Sequence, residues 1–351
     1  MQEKFSCAII VKNEADTLPR LLDYLIKYCN DIVVVDTGST DDTVSIARKY
    51  GCAVDEVEDK FKIQPTKQNI DDFAKQFGFS PIFDTNEKYF HFSNARNYAL
   101  TLTENDWVFQ PDADEIPEWN IEEVLKALPD NDHLIYKFCF SHNEDGSCAL
   151  EFTHSKFFRK SKYHWVGQVH EVEQKRDGVE VREDGFFEHI YHHHWQNKKT
   201  DRTHYLAGLE LSIINNELLD RNMFYLAREY LYQKQYEKSL IVFDEALKIM
   251  NWNAERSQAY IFMGQCFKAL NNRKQAAIHF WKAIIEYEMR REPWYEMGLL
   301  LEEDDHLEES IVYYSAAMGV EFKEHSYLNS TFLYDDLIPK KIKSIKKLLK
   351  E

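Results

Sequence analysis

The sequence predicts an α/β domain built on a mostly parallel sheet, followed by an all-α array of helical hairpins. Three observations carry this expectation. Apolar runs alternate with amphipathic stretches in the N-terminal part, helical periodicity takes over near Tyr205, and the C-terminal part repeats with a step of about 34 residues. At 351 residues the chain is also long for one core, which favours two domains.

Phe5–Val11 is a near-continuous apolar run, the pattern of a strand buried on both faces. A helix should follow, with Leu18, Leu21, Leu22, Leu25 and Ile26 on one face. Asp31–Asp36 is a second buried strand, and a helix from Thr43 to Tyr50 ends at Gly51. Ala53–Val57 is a third strand. This order implies a parallel sheet with right-handed crossovers, whose ligands sit beyond the carboxyl ends of the strands. That rule points to Lys12–Glu14 and Asp36–Asp42. Lys60–His91, polar and aromatic with Pro65 and Pro81, is expected to be a functional loop or lid. The alternation resumes with a helix at Ser93–Thr103 and a strand at Trp107–Gln110 that runs into Pro111–Glu115.

Beyond Tyr205 three copies align: Leu226-Ala227 with Ser239 and Phe243, Met263-Gly264 with Ala276 and Phe280, and Met297-Gly298 with Ser310 and Tyr314. Small residues where two helices cross, with an aromatic plugging the next hairpin, are the tetratricopeptide signature. Such arrays bind peptides or mediate dimerisation. The last segment, Pro339–Lys350, places Ile342, Ile345, Leu348 and Leu349 on one helical face among six lysines. Two roles suit it: a cap on the last hairpin, or peripheral contact with an anionic membrane. The expected boundaries are 1–200 for the α/β domain, 201–337 for the hairpins and 338–351 for the basic helix.

A net charge of −17 excludes a general nucleic-acid binder. The six cysteines form no CxxC pair, a usage that suits reduced thiols. No signal-peptide pattern and no apolar run of about 18 residues is present, so the expected location is cytoplasmic, at most peripheral at the membrane's inner face.

Several residues could carry chemistry. Asp112-Ala113-Asp114-Glu115 follows a strand end, and two carboxylates one residue apart can face a hard cation such as Mn²⁺ or Mg²⁺. A solvated acidic loop is the plain alternative. Asp36 is placed to bind a base or ribose, or else to cap its own turn at Gly38. Arg96, near a helix start, could clamp a diphosphate or form a surface ion pair. The triplet His192–His194 could supply a ligand or be polar surface.

Taken together, Val11-Lys-Asn-Glu14, the segment from Val34 to Thr43, Ser93-Asn-Ala-Arg-Asn97 and Asp112–Glu115 resemble family 2 glycosyltransferases of GT-A fold. Phe157–Arg159, Trp165–Glu171, Ile190–His192 and Arg221–Tyr230 are similar to one branch of that family. That branch carries a C-terminal tetratricopeptide array and includes bacterial envelope-glycan transferases and bacteriocin S-glycosyltransferases. The resemblance spans residues 5 to 320 in order. It departs at the Lys60–His91 insertion and at Gln110-Pro111, where apolar residues are usual.

The resemblance implies an inverting, metal-dependent transfer of a hexose or N-acetylhexosamine from a nucleotide sugar, UDP-linked ahead of GDP-linked. The acceptor would be a glycan, a lipid-linked glycan, or a protein or peptide. Val11, Asn13, Glu14, Asp36, Arg96, Asp112 and Ala113 would line the donor site. Asp112, Asp114 and His192 would hold the cation, with His194 in reserve. Glu171 is the candidate general base, and Asp114 or Glu115 could serve instead. The tetratricopeptide part would bind a protein partner or a second copy. The rival is a catalytically silent domain serving as a binding module. A dehydrogenase is disfavoured because no G-x-G-x-x-G follows the first strand. An aspartyl phosphatase is disfavoured because Gly38, not an acid, stands two residues after Asp36, and a sugar nucleotidyltransferase because Lys12-Asn-Glu14 is no basic glycine-rich loop.

Overall fold

The apolar runs form strands and the amphipathic stretches helices: β1 (Phe5–Val11), α1 (Leu18–Leu25), β2 (Ile32–Asp36), α2 (Thr43–Lys49) and β3 (Ala53–Glu56). The computed structural model describes residues 4–142, 146, 148–182, 185–194, 202–321 and 330–350. Of these, 140, 141, 149–152, 185–194, 202, 203 and 331 are described as backbone alone. Next come β4 (Lys62–Ile63), α3 (Lys67–Phe77), β5 (Tyr89–Phe90), α4 (Phe92–Thr101), β6 (Trp107–Phe109) and β7 (Glu115–Trp119). α5 (Ile121–Ala127), β8 (His133–His142), β9 (Cys148–Arg159), β10 (Tyr163–Val166), β11 (Val172–Lys175) and β12 (Gly185–His194) complete the α/β part.

The main sheet has the order β3-β2-β1-β6-β9-β8-β12-β7. β3, β2, β1 and β6 are mutually parallel, as are β8 and β12, whereas β9 runs antiparallel to β6 and β8, and β7 antiparallel to β12. Alternate residues of each strand enter different cores. Ile9, Val34 and Phe109 pack with Leu18, Leu21, Leu22 and Leu25 of α1, while Ala8, Val33 and Val108 pack with Ala95 and Ala99 of α4. Burial on both faces is the reason these strands read as continuous apolar runs.

The helical part comprises α6 (Arg202–Ile214), then α7 (Leu219–Tyr232), α8 (Tyr236–Ala246), α9 (Asn253–Ala269), α10 (Arg273–Glu286), α11 (Arg291–Glu303), α12 (Leu307–Gly319) and α13 (Leu337–Leu348). The small repeat positions do what the spacing implies. A Cβ on Gly264 would lie 2.4 Å from the Phe280 ring, and one on Gly298 would lie 2.7 Å from Tyr314. On α13, Ile338 and Ile345 are buried with Tyr314, Ala317 and Leu333, and Ile342 packs beside them. The cap is therefore the observed role of this apolar face. Leu348 and Leu349 remain exposed.

Two compact units emerge: Met1–Asn69 with Ile82–Ser212, and Ile70–Pro81 with Ile213–Glu351. Two expectations need correction here. The Lys60–His91 insertion is no structureless lid. Its ends pair as β4 and β5, and most of α3 groups with the hairpin unit, where Phe79 sits 5.8 Å from Tyr230. Burial of Phe73 and Phe77 one helical turn apart orders it. Nor are all cysteines reduced: Cys139 and Cys148 are bridged across the β8–β9 pair, their Cα atoms 5.8 Å apart. Cys7, Cys29, Cys52 and Cys266 are free and buried.

Candidate active site

The carboxyl ends of β2, β1 and β6 lie side by side and carry the loops singled out by the sequence. Val11 closes β1, and its carbonyl accepts from Thr37 N at 2.9 Å and Thr37 Oγ1 at 3.0 Å. Asn13 has a left-handed backbone, φ 56°, which asparagine tolerates better than most residues. Its Oδ1 accepts from Thr40 N at 2.7 Å, while its own N–H donates to Ser39 Oγ. Glu14 N donates to Thr43 Oγ1 at 2.8 Å. The two loops are thereby knitted into one rim. Beside it Lys12, Thr37, Gly38, Ser39, Thr40, Glu58, Asp59 and Lys62 line a cleft of about 170 Å³. That is below the roughly 300 Å³ at which whole small-molecule sites begin, and suits one moiety of a ligand.

Asp36 is 3% exposed, and its Oδ2 accepts from Gly38 N at 3.1 Å and Ser39 N at 3.0 Å. It caps its own turn, the plainer of the two roles the sequence allowed.

Arg96 and Asp112 are brought together directly. α4 presents Arg96, 3% exposed, whose Nη2 donates to Asp112 Oδ1 at 2.5 Å and whose Nε donates to Glu171 Oε1 at 2.7 Å. The guanidinium also lies 4.7 Å from the Trp165 ring. Gln110, the polar departure before Pro111, is fully buried; it accepts from Trp165 Nε1 and donates to the Arg96 carbonyl at 3.1 Å. A glutamine stands there because it fixes both the ring and the helix that frame Arg96. Ala113 is buried, and Asp114 is partly buried on the same turn.

Glu171 reaches Arg96 from a strained loop. His170 has φ 52°, and α6 approaches so closely that a Cβ on Gly208 would lie 2.7 Å from Val169. Nothing along the chain signals that Glu171 binds Arg96.

Lys156 of β9 was also invisible in the sequence. Its side chain is 5% exposed, and its ammonium donates to Asp112 Oδ2 at 2.7 Å and to Glu115 Oε1. The one signal was a lysine directly before the apolar pair Phe157-Phe158, a residue type rarely buried without a partner. Glu173, also missed, accepts from Ser155 Oγ at 3.2 Å.

Burial raises the Asp112 carboxyl, but Arg96 and Lys156 outweigh it and hold the group well below the usual carboxylate range. Burial lowers both cations, and their carboxylate partners more than offset this, so both stay charged. Burial pushes Glu115 up to about 7 against the pull of Lys156, and Glu173 up to about 8.

The histidine triplet enters through β12, whose backbone pairs His192 with Pro117 and His194 with Glu115. The side chains of His192, His193 and His194 lie outside the described residues.

This arrangement joins a buried arginine and the carboxylates it holds to the carboxyl ends of parallel strands, and the match to known proteins begins at the first of those strands. Residues 6–61 match the profile of the family described as Glycosyl transferase family 2. Within the N-terminal unit, the likeness to that family extends over these residues. An uncharacterized glycosyltransferase of Rickettsia conorii is 30% identical over 151 residues, 43% of this chain and 39% of that protein. One from Rickettsia felis is 29% identical over 42% of this chain and 38% of its own length. The chain thus spans about two-fifths of the length of these relatives. A TPR repeat-containing protein of Synechococcus elongatus is 32% identical over 31% of this chain and 20% of its own length. Among solved structures, the Sgt2 TPR domain from Aspergillus fumigatus is 14% identical. It covers 38% of this chain and 80% of that one, with a TM-score of 0.31.

Members of this family generally use a divalent cation, and the donor set at the end of β6 has the right chemistry for one. Asp112 and Asp114 offer hard carboxylate oxygens. Both oxygens of Asp112 already accept from cations, however, and among the described residues no three His, Cys, Asp or Glu side chains converge on one point. The pair fits a divalent ion by type, and Asp112 already carries a resident cation on each oxygen.

Proposed function

We propose that the chain is an inverting, metal-dependent glycosyltransferase. It moves a hexose or N-acetylhexosamine from a nucleotide diphosphate sugar, UDP-linked ahead of GDP-linked, to an acceptor hydroxyl. The observation that carries this reading is the pairing of buried Arg96 with the half-exposed Asp112 at the carboxyl edge of the parallel strands. Val11, Asn13, Glu14 and Asp36 shape the rim for base and ribose, and Arg96 with Ala113 borders the diphosphate. Asp112, Asp114 and His192 are assigned to a divalent cation, which when bound would neutralise charge on the leaving diphosphate.

In the transfer, the acceptor oxygen forms a bond to the anomeric carbon as the bond from that carbon to the diphosphate oxygen breaks. The acceptor proton passes to a carboxylate, for which Glu171 and Asp114 are the candidates. The acceptor is a glycan, a lipid-linked glycan, or a protein or peptide. The hairpin unit is the candidate surface for a peptide or a second copy. Lys343, Lys346 and Lys350 with Leu348 and Leu349 are exposed at the end of α13 and could touch an anionic membrane surface. Among the described residues no helix is long and apolar enough to cross a membrane.

A thermal-shift screen of the purified chain against nucleotide sugars with Mn²⁺ tests the reading, because a true ligand stabilises the folded form. A shift with UDP-sugars, together with donor hydrolysis or transfer, is expected. Asp114→Ala should lower turnover by about 10²-fold or more with the melting temperature preserved. Full turnover in that variant would remove the metal role, and a shift without hydrolysis or transfer would favour the silent binding module.

A further inference from the structure

Lys156 lies in β9, between β6 and β8, and its side chain reaches the D-x-D turn from beneath. Its ammonium donates to Asp112 Oδ2 at 2.7 Å and also to Glu115 Oε1. Arg96 Nη2 donates to the other oxygen of the same carboxylate at 2.5 Å. Asp112 therefore has a buried cation on each oxygen before any divalent ion arrives.

Two consequences follow from charge alone. A divalent ion that approached Asp112 by itself would add two positive charges to a carboxylate already held by two, and would strand an ammonium that has lost its water. A diphosphate reverses this balance, because its oxygens can receive the hydrogen bonds that the ammonium gives up. We propose that Lys156 is a donor-binding residue. It is the resident counter-cation of Asp112 and transfers its hydrogen bonds to the incoming diphosphate, so that a divalent cation reaches Asp112 only together with that diphosphate. The proposal rests on the transferase reading above. It makes Lys156 a gate on the order of assembly as well as a second fixed charge beside Arg96.

The test is Mn²⁺ binding, followed by the loss of the free-ion electron paramagnetic resonance signal. Without nucleotide, Asp112→Asn should leave the Mn²⁺ affinity of the otherwise wild-type chain unchanged. Lys156→Met should bind Mn²⁺ about tenfold or more tightly than wild type, and adding Asp112→Asn to it should erase the gain. Lys156→Gln serves if the methionine variant does not fold, with circular dichroism as the check. Two results overturn the proposal: a folded Lys156 variant whose Mn²⁺ affinity stays within about twofold of wild type, or an Asp112→Asn change that weakens Mn²⁺ binding by the wild-type background. Repeating the wild-type titration with UDP tests the transferase reading separately. No gain in Mn²⁺ affinity with UDP would sink that reading and leave the nucleotide-free comparison standing.

Discussion

Glu173 shows how far a single carboxyl can be moved by its surroundings. β11 places it opposite Trp165, and its Oε1 is buried without a hydrogen-bond partner among the described residues. Burial pushes its pKa up to about 8, above the ordinary value of about 4.3. The folded chain therefore keeps a proton that the unfolded chain loses. The stability this group contributes is complete below the unfolded pKa and declines as pH rises toward about 8. Glu173→Gln, an amide that mimics the protonated acid, should match wild type closely at pH 4. At pH 8.5 it should be more stable by roughly 3–5 kcal/mol in chemical denaturation. Equal stability of the two proteins at both pH values would show that Glu173 is charged and solvated. The same scale decides other roles. Asp36 turns inward onto Gly38 and Ser39, and Glu171 holds Arg96, choices set by which donor each carboxylate meets.

At the level of elements, the repeat works by backbone approach. Gly264 lets α9 meet the Phe280 ring of α10, and Gly298 lets α11 meet Tyr314 of α12. Gly264→Ala would drive a methyl into a fully buried ring and should cost about 1–3 kcal/mol, read as a lowered urea midpoint. Gly319 ends α12 with nothing among the described residues within 4 Å of an added Cβ, so Gly319→Ala should change stability by less than about 0.5 kcal/mol. A neutral Gly264→Ala would contradict the close crossing. These glycines were legible in the sequence because a repeat samples the same contact three times. α3 was not, because its Phe73 and Phe77, with Phe79 just beyond it, need a surface supplied by residues such as Tyr230, far along the chain.

Over the whole molecule, a chain of net charge −17 keeps a basic terminal helix, and packing explains its retention. Ile338, Ile342 and Ile345 close the apolar end left by Tyr314 and Ala317, as a terminal cap must in a solenoid. Deleting residues 338–351 should lower the melting temperature of the hairpin unit by several degrees, measured by circular dichroism. Flotation with anionic vesicles, compared between the full chain and a Lys343→Glu/Lys346→Glu/Lys350→Glu variant that keeps the cap, addresses the membrane surface separately. Equal flotation of the two would rule that surface out.

The sequence by itself determined the elements whose cause is local or periodic. Parallel strands buried on both faces announced themselves as apolar runs, and the hairpins as a recurring small-and-aromatic pattern. It also brought Asp36, Arg96, Asp112 and Asp114 forward, because their positions at strand ends and helix starts are local facts. Only the tertiary structure decided what those groups touch. The pairing of β9 with β6 sets Lys156 against Asp112, the strained Gly167–Glu171 loop delivers Glu171 to Arg96, and the β8–β9 pair joins Cys139 to Cys148. Each of these depends on strand order and register, which no spacing along the chain encodes, since a carboxylate takes whichever cation the fold brings within reach.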